Sequence, residues 1–190
     1  MMYEKIPAGF FTAFDRQNSL LYNADDYEER KLSDLQGCFV AEEIRHQMAL
    51  QENKTVYRVY KKTAPLVAGE LLQAVTVLFP GTVNGEFFMT RGHYHIHPKC
   101  AEIFFCLGGR GLLLLQKGNE TKWVEMKPDV IAYIPAGWGH RTVNTSLAGP
   151  LVFIAFWPAV AGQNYQRRLK EPFGKRVFQA DRSYVIGDGD

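Results

Sequence analysis

The chain has 190 residues, 46% hydrophobic and 22% charged, with 22 basic against 20 acidic side chains and a formal net charge of +2. That length suits one domain with a full core, and no basic run offers footing to nucleic acid or an anionic membrane. Cys38, Cys100 and Cys106 form no CxxC pair, which argues against a disulfide framework.

The N-terminal MMYEKIPAGFFTAF lacks the basic start, apolar core and cleavage site of a secretory signal. No apolar run approaches the ~18 residues of a membrane span. Together with the cysteines, this leads us to expect a soluble, cytoplasmic protein. Residues 1–35 mix aromatics with polar turns and read as an extended arm with short strands, one near 19–22; residues 25–31, charged in both signs, read as a solvated face. Ile44, Met48 and Ala49 recur at helical spacing, predicting one short helix over 41–50 with His46 on its polar side. From Thr55 the pattern changes to strands: 56–60, 71–79 (ended by Pro80-Gly81), 87–97 and 102–107. Gly108-Gly109-Arg110-Gly111 reads as a glycine hairpin into 112–116. Strands at 122–126, 130–134, 140–144 and 151–157 follow, then a helical hint at 163–169 and a last strand at 175–178. Phe87, Phe88, Phe104, Phe105, Phe153 and Phe156 read as core. Short, regularly spaced strands divided by Gly and Pro predict an all-β fold, an antiparallel sandwich or barrel with one or two short peripheral helices. The predicted organisation is one domain over 1–190, with an arm at 1–50, a barrel core at about 51–160 and a tail at 161–190.

Four of the five histidines fall in two stretches. Thr90-Arg-Gly-His-Tyr-His-Ile-His-Pro-Lys-Cys-Ala-Glu102 holds His93, His95, His97 and Glu102, and Pro135-Ala-Gly-Trp-Gly-His-Arg-Thr-Val-Asn144 holds His140. On a strand, alternate residues share a face, so His93, His95 and His97 are expected to point together. Imidazoles and a carboxylate converging from one face suit a divalent first-row metal, and Fe(II), Mn(II), Zn(II) and Ni(II) all fit the ligand types. The spacing permits two registers before Glu102: His95 with His97, or His93 with His95.

The two stretches resemble the paired signatures of the cupin superfamily. Glu102 precedes Gly109 by the expected interval, and Pro135-x-Gly137-x-x-His140-x-x-x-Asn144 matches the second signature, with Asp129 where that signature often begins with glycine. Closer still is the resemblance to the cupin-type phosphoglucose isomerases, carried by Thr76-Val-Leu-Phe-Pro-Gly81, Glu86-Phe-Phe-Met-Thr-Arg-Gly-His-Tyr-His95 and Trp138-Gly-His-Arg-Thr-Val-Asn144. It continues through Leu32–Phe39, Val56–Tyr60 and Phe153–Gly162, so it covers most of residues 30–165.

This resemblance implies a cupin, jelly-roll-like barrel and a homodimer with one divalent metal ion per chain. The ion would be held by His93, His95, Glu102 and His140, with His97 a neighbour. The implied reaction interconverts glucose 6-phosphate and fructose 6-phosphate, with Glu102 and His140 as the catalytic groups. Thr76, Thr90 and Gly92 would cradle the phosphate, Arg91 would add charge, and Tyr165 would lie near the substrate. Three positions depart from the family pattern: Phe104 and Trp157 stand where tyrosine is common, and Gln163 where histidine is. Trp157 and Gln163 are still expected at the substrate. The departures leave open an isomerase for another sugar phosphate or a non-catalytic sugar-phosphate-binding cupin; the three-histidine, one-glutamate set also leaves open an iron dioxygenase.

Overall fold

A computed structural model describes residues 11–181 and 183–189; the first ten residues of the expected arm lie outside the described residues. In chain order the elements are β1 (Ala13–Asp15), β2 (Leu20–Tyr22), β3 (Asp26–Lys31), a 3-10 turn (Leu32–Leu35), α1 (Glu42–Gln51), β4 (Thr55–Lys62), β5 (Leu71–Leu78), β6 (Thr82–Val83), β7 (Glu86–Phe87) and β8 (Tyr94–His95). Then come β9 (Glu102–Gly108), β10 (Gly111–Lys117), β11 (Glu120–Met126), β12 (Ile131–Ile134), β13 (Gly139–Asn144), β14 (Leu151–Pro158), β15 (Gln163–Asn164), α2 (Tyr165–Lys170), β16 (Lys175–Ala180) and β17 (Ser183–Asp188).

Two antiparallel layers enclose the core. One is a six-stranded sheet in the order β12-β9-β14-β5-β4-β3. The other is built on β11-β10-β13 and extended past β13 by bridges from Met89 to Val143 and from His93 to His140. The period-2 pattern does its work on β9, where Glu102, Phe104 and Cys106 are buried while Ile103 is exposed. On β14, Leu151, Phe153 and Ala155 are likewise buried while Phe156 faces outward, so Phe156 is not the core residue expected. Strand β10 is buried from Gly111 to Gln116 because both its faces are covered. Phe173 and Val177 of the C-terminal segment join the main core, and the Gln116 amide both donates to the Pro172 carbonyl and accepts from the Gly174 N–H. A second apolar cluster, Leu21, Val75, Val77 and Val152 with Phe14, lies on the outer face of the six-stranded sheet, under the β1–β2 hairpin.

Four sequence expectations are corrected. The expected strand over 87–97 is interrupted: β7 ends at Phe87, isolated bridges follow at Met89 and His93 around Gly92 with φ +74, and a regular strand resumes only at Tyr94 and His95. The glycine turn after β9 makes no hairpin, because β9 pairs with β12 and β14 whereas β10 pairs with β11 and β13. The turn instead carries the chain from one layer to the other. It is packed so closely that a Cβ at Gly109 would lie 2.2 Å from the Pro150 carbonyl oxygen. In α1 the inward face is Arg45, Met48 and Ala49, while Ile44 is 37% exposed; Arg45 is fixed by Glu42 and by the Leu32 carbonyl at 2.8 Å. Finally, the solvated face at 25–31 is itself a strand, β3, the edge of the larger sheet. Asp129, where a glycine was looked for, does adopt a left-handed conformation with φ +72, which Asp tolerates better than most residues.

Candidate metal centre

Three elements deliver the four donors. The segment around β8 carries His93 and His95, β9 carries Glu102 at its first residue, and β13 carries His140. His93 and His140 lie opposite each other and exchange backbone bonds, His93 N–H to the His140 carbonyl at 3.1 Å and the reverse at 3.0 Å. Their side chains therefore emerge together, with ring centroids 4.4 Å apart. The donor atoms of His93, His95, Glu102 and His140 all lie within 4.8 Å of one another, close to what ligands around a single ion span. His97 stands apart: the strand ends at His95, and His97 sits in an exposed bend.

The donor chemistry fits a cation. The His95 Nδ1–H donates to the Cys100 carbonyl at 3.0 Å, the kind of anchor that fixes tautomer and ring orientation in metal-ligating histidines. That leaves Nε2 with its lone pair aimed at the Glu102 Oε2, 3.1 Å away. Two acceptors facing each other need a proton or a cation between them. The His140 Nε2 lies 3.1 Å from the same oxygen, yet its alignment is not that of a hydrogen bond, and both nitrogens of this buried ring lack a partner. A single divalent ion would satisfy the group.

Charge states agree. Burial holds the His93 imidazolium well below its usual range, reinforced by the neighbouring His140, so the ring stays in its neutral, ligating form. Burial alone would raise Glu102, but the imidazole of His140 3.1 Å from its oxygen, with the hydrogen bond to His95 and the nearby His93, outweighs it and holds the carboxyl at about 2. For His95, burial lowers the pKa, but the hydrogen bond and charge of Glu102 carry it above the usual value.

The centre opens into a cavity of about 640 Å³, solvent at its mouth included, which His93, Glu102 and His140 line. Tyr57, Thr76, Thr90, Gly92 and Thr142 give it polar walls, and Phe104, Phe153 and Ala155 an apolar one. Phe104 stacks on Phe153 at 4.6 Å and meets His140 edge-on at 5.8 Å. Trp157, Gln163 and Tyr165 also line it, with the Tyr165 hydroxyl donating to the Gln163 side-chain oxygen at 2.7 Å. Arg91 lines it too, stacked over Tyr165 at 5.4 Å. Every residue expected at the substrate thus borders one space. Sequence reasoning missed Tyr57, Lys61 and Phe153; the alternation of Tyr57, Val59 and Lys61 along β4 was the available signal, since all three line the cavity.

Fold and cluster together define the class: an antiparallel β-barrel whose cavity carries a three-histidine, one-glutamate cluster, as the paired cupin signatures led us to expect. Residues 29–182 match the family model described as glucose-6-phosphate isomerase (GPI). The chain is 45% identical over 160 residues to a glucose-6-phosphate isomerase of Thermococcus gammatolerans, covering 84% of each chain. It is 39% identical over 180 residues to that of Thermococcus litoralis, covering 94% of each. Among solved structures, a mutant oxalate decarboxylase of Bacillus subtilis overlaps 55% of this chain and 26% of its own, at 20% identity and a TM-score of 0.45. The chain belongs to the glucose-6-phosphate isomerase family.

Proposed function

We propose that the protein is a metal-dependent aldose–ketose isomerase interconverting glucose 6-phosphate and fructose 6-phosphate. The observation that carries this reading is the convergence of His93, His95, Glu102 and His140 on one cavity in a chain of this family. These four side chains would hold one divalent ion per chain, of the group Fe(II), Mn(II), Zn(II) and Ni(II). Such an ion would supply Lewis acidity toward the oxygens of the open-chain sugar.

The remaining work falls to the protein. Thr76, Thr90 and Gly92 receive the phosphate, and Trp157, Gln163 and Tyr165 hold the sugar in reach of the centre, so that the reacting carbons are presented in one orientation. Glu102 is ionised and lines the cavity. It takes the proton from C2 of the aldose and returns it to C1, while the O2 hydroxyl proton passes to O1, with His140 beside it in the same wall. The apolar surface of Phe104, Phe153 and Ala155 keeps water from that transfer. If Glu102 carries the proton, turnover in D2O places solvent deuterium on the sugar; a direct hydrogen shift between the carbons would leave it unlabelled.

The second reading, an isomerase for another sugar phosphate, is favoured by Phe104, Trp157 and Gln163 all bordering the cavity, where the family resemblance expects two tyrosines and a histidine. We propose a homodimer on the support of Ile103, Ile131, Tyr133 and Phe156, which leave an apolar outer face on the larger sheet, and a cytoplasmic setting on the support of the unpaired Cys38, Cys100 and Cys106.

A coupled assay with fructose 6-phosphate, after chelation and again with each of the four metals restored, tests the whole. Turnover that vanishes on chelation and returns with metal is expected. Full activity after verified metal removal would defeat the metal-dependent reading, and turnover confined to a different phosphosugar would select the second.

A further inference from the structure

The ladder between β13 and the segment before β8 contains a bulge. Thr90 N–H bonds the Thr142 carbonyl at 2.9 Å, and Thr142 N–H bonds the Thr90 hydroxyl at 3.0 Å. His93 and His140 pair two steps further along β13. Between these fixed points two residues, Arg91 and Gly92, stand opposite one, Arg141. Gly92 absorbs the extra length with φ +74. A side chain there would meet the Phe173 ring at 2.7 Å and the Arg141 Cβ at 3.0 Å.

Arg141 follows His140 on β13 and so points to the opposite side, away from the cavity. It is 2% exposed, its guanidinium lies 4.7 Å over the Phe173 ring, and one Nη donates to the Arg91 carbonyl at 3.1 Å. In a planar trans peptide the C=O and the following N–H point in opposite directions. A carbonyl held from behind by Arg141 therefore turns the Gly92 N–H forward, into the cavity that Gly92 lines. This N–H has no acceptor among the described residues, whereas buried amides are normally paired. Arg168 and Arg176 lie close enough for their charges to act on Arg141, with Glu86 the buried carboxylate among them. The peptide is thus backed by an excess of positive charge.

We propose that Arg141 is a positioning residue for phosphate recognition: from the far side of the bulge it locks the Arg91–Gly92 peptide so that the Gly92 N–H, polarised by the guanidinium, receives a substrate phosphate oxygen. This rests on the reading of the cavity as a sugar-phosphate site. Arg141 touches no substrate; it acts through one peptide group.

The test uses full-length Mn(II)-loaded protein as wild type, Arg141→Lys and Arg141→Met. For Arg141→Met, KM for fructose 6-phosphate and the inhibition constant of inorganic phosphate should both rise about tenfold, the size of one charge-assisted hydrogen bond. The same variant should keep kcat and Mn(II) affinity within about twofold, the pattern of lost uniform binding. Arg141→Lys, which keeps the charge, should recover part of the loss. Parallel loss of kcat and Mn(II) affinity with an unchanged phosphate constant would make Arg141 a structural prop for His140 and overturn the proposal. If the Met variant does not fold, the wild type still answers: with 15N-glycine labelling, inorganic phosphate should shift the Gly92 amide resonance and saturate it. A Gly92 signal that stays put while phosphate inhibits would overturn the proposal and spare the sugar-phosphate reading. A wild type that neither turns over fructose 6-phosphate nor binds phosphate would remove that reading, and this proposal with it.

Discussion

At Glu102, burial and the surrounding imidazoles pull in opposite directions, and the imidazoles win, holding the carboxyl at about 2 against an ordinary 4.5. In the unfolded chain this group takes a proton as pH falls through 4.5, and in the folded chain only near 2. Across that window the unfolded state binds more protons, so stability must fall as pH falls. His93, depressed by burial, adds to the loss from its ordinary 6.5 downward, while His95, shifted upward, acts only above 6.5, where the folded state takes up the extra proton, and adds no slope below it. Metal-free protein should therefore show a melting temperature that drops between pH 4.5 and 2. Glu102→Gln should flatten that drop, as read by circular dichroism. In the metal-loaded enzyme the same substitution should lower kcat by about 100-fold or more, the low end of a general acid–base contribution, while the fold survives. The four residues were legible in the sequence through the family resemblance, since motif spacing by itself left two registers open before Glu102. The expected grouping of His97 with His93 and His95 failed because alternation holds only while a strand lasts, and β8 ends at His95.

Among the elements, strands were legible and their partners were not. The period-2 patterns over β4, β5, β9 and β14 can be read residue by residue, but nothing local reveals that β9 and β10 belong to different layers. A glycine run has the same composition whether it closes a hairpin or makes a crossover; only the packing against Pro150 and Val143 distinguishes them. The final strand β17 was missed because its alternation is half solvated, and β3 because its side chains are charged. The crossover yields a comparison of two alanine substitutions. Gly118 has φ +57 with nothing within 4 Å of an added Cβ, whereas Gly109 has φ +80 and the Pro150 carbonyl 2.2 Å away. Gly118→Ala should cost only the backbone strain of its left-handed conformation, about 1 kcal/mol. Gly109→Ala should cost visibly more, each further kcal/mol lowering the melting temperature by about 2–4 °C.

For the molecule as a whole, the larger sheet has unequal coverage. The β1–β2 hairpin covers the outer cluster around Val75, Val77 and Val152, but Ile131 and Tyr133 are 69% and 60% exposed on the neighbouring β12. Register places Tyr133 opposite Ile103, and Ile103 opposite Phe156, so these side chains form one row across three strands. If this row is where two copies meet, Ile103→Lys combined with Tyr133→Lys should halve the mass measured by light scattering and leave the circular dichroism spectrum unchanged. An unchanged mass would assign the dimer, if any, to another face.

The C-terminal segment has a consequence for the order of assembly. All four proposed ligands precede residue 141, yet the ring behind Gly92 belongs to Phe173, and Gln116 is clamped by Pro172 and Gly174. In chain order the ligand-bearing strands come before this segment. A nascent chain is thus equipped to gather its metal before its phosphate cradle has anything to lean on. Docking of this segment, rather than capture of the ion, would be the moment at which the site becomes able to hold a sugar phosphate.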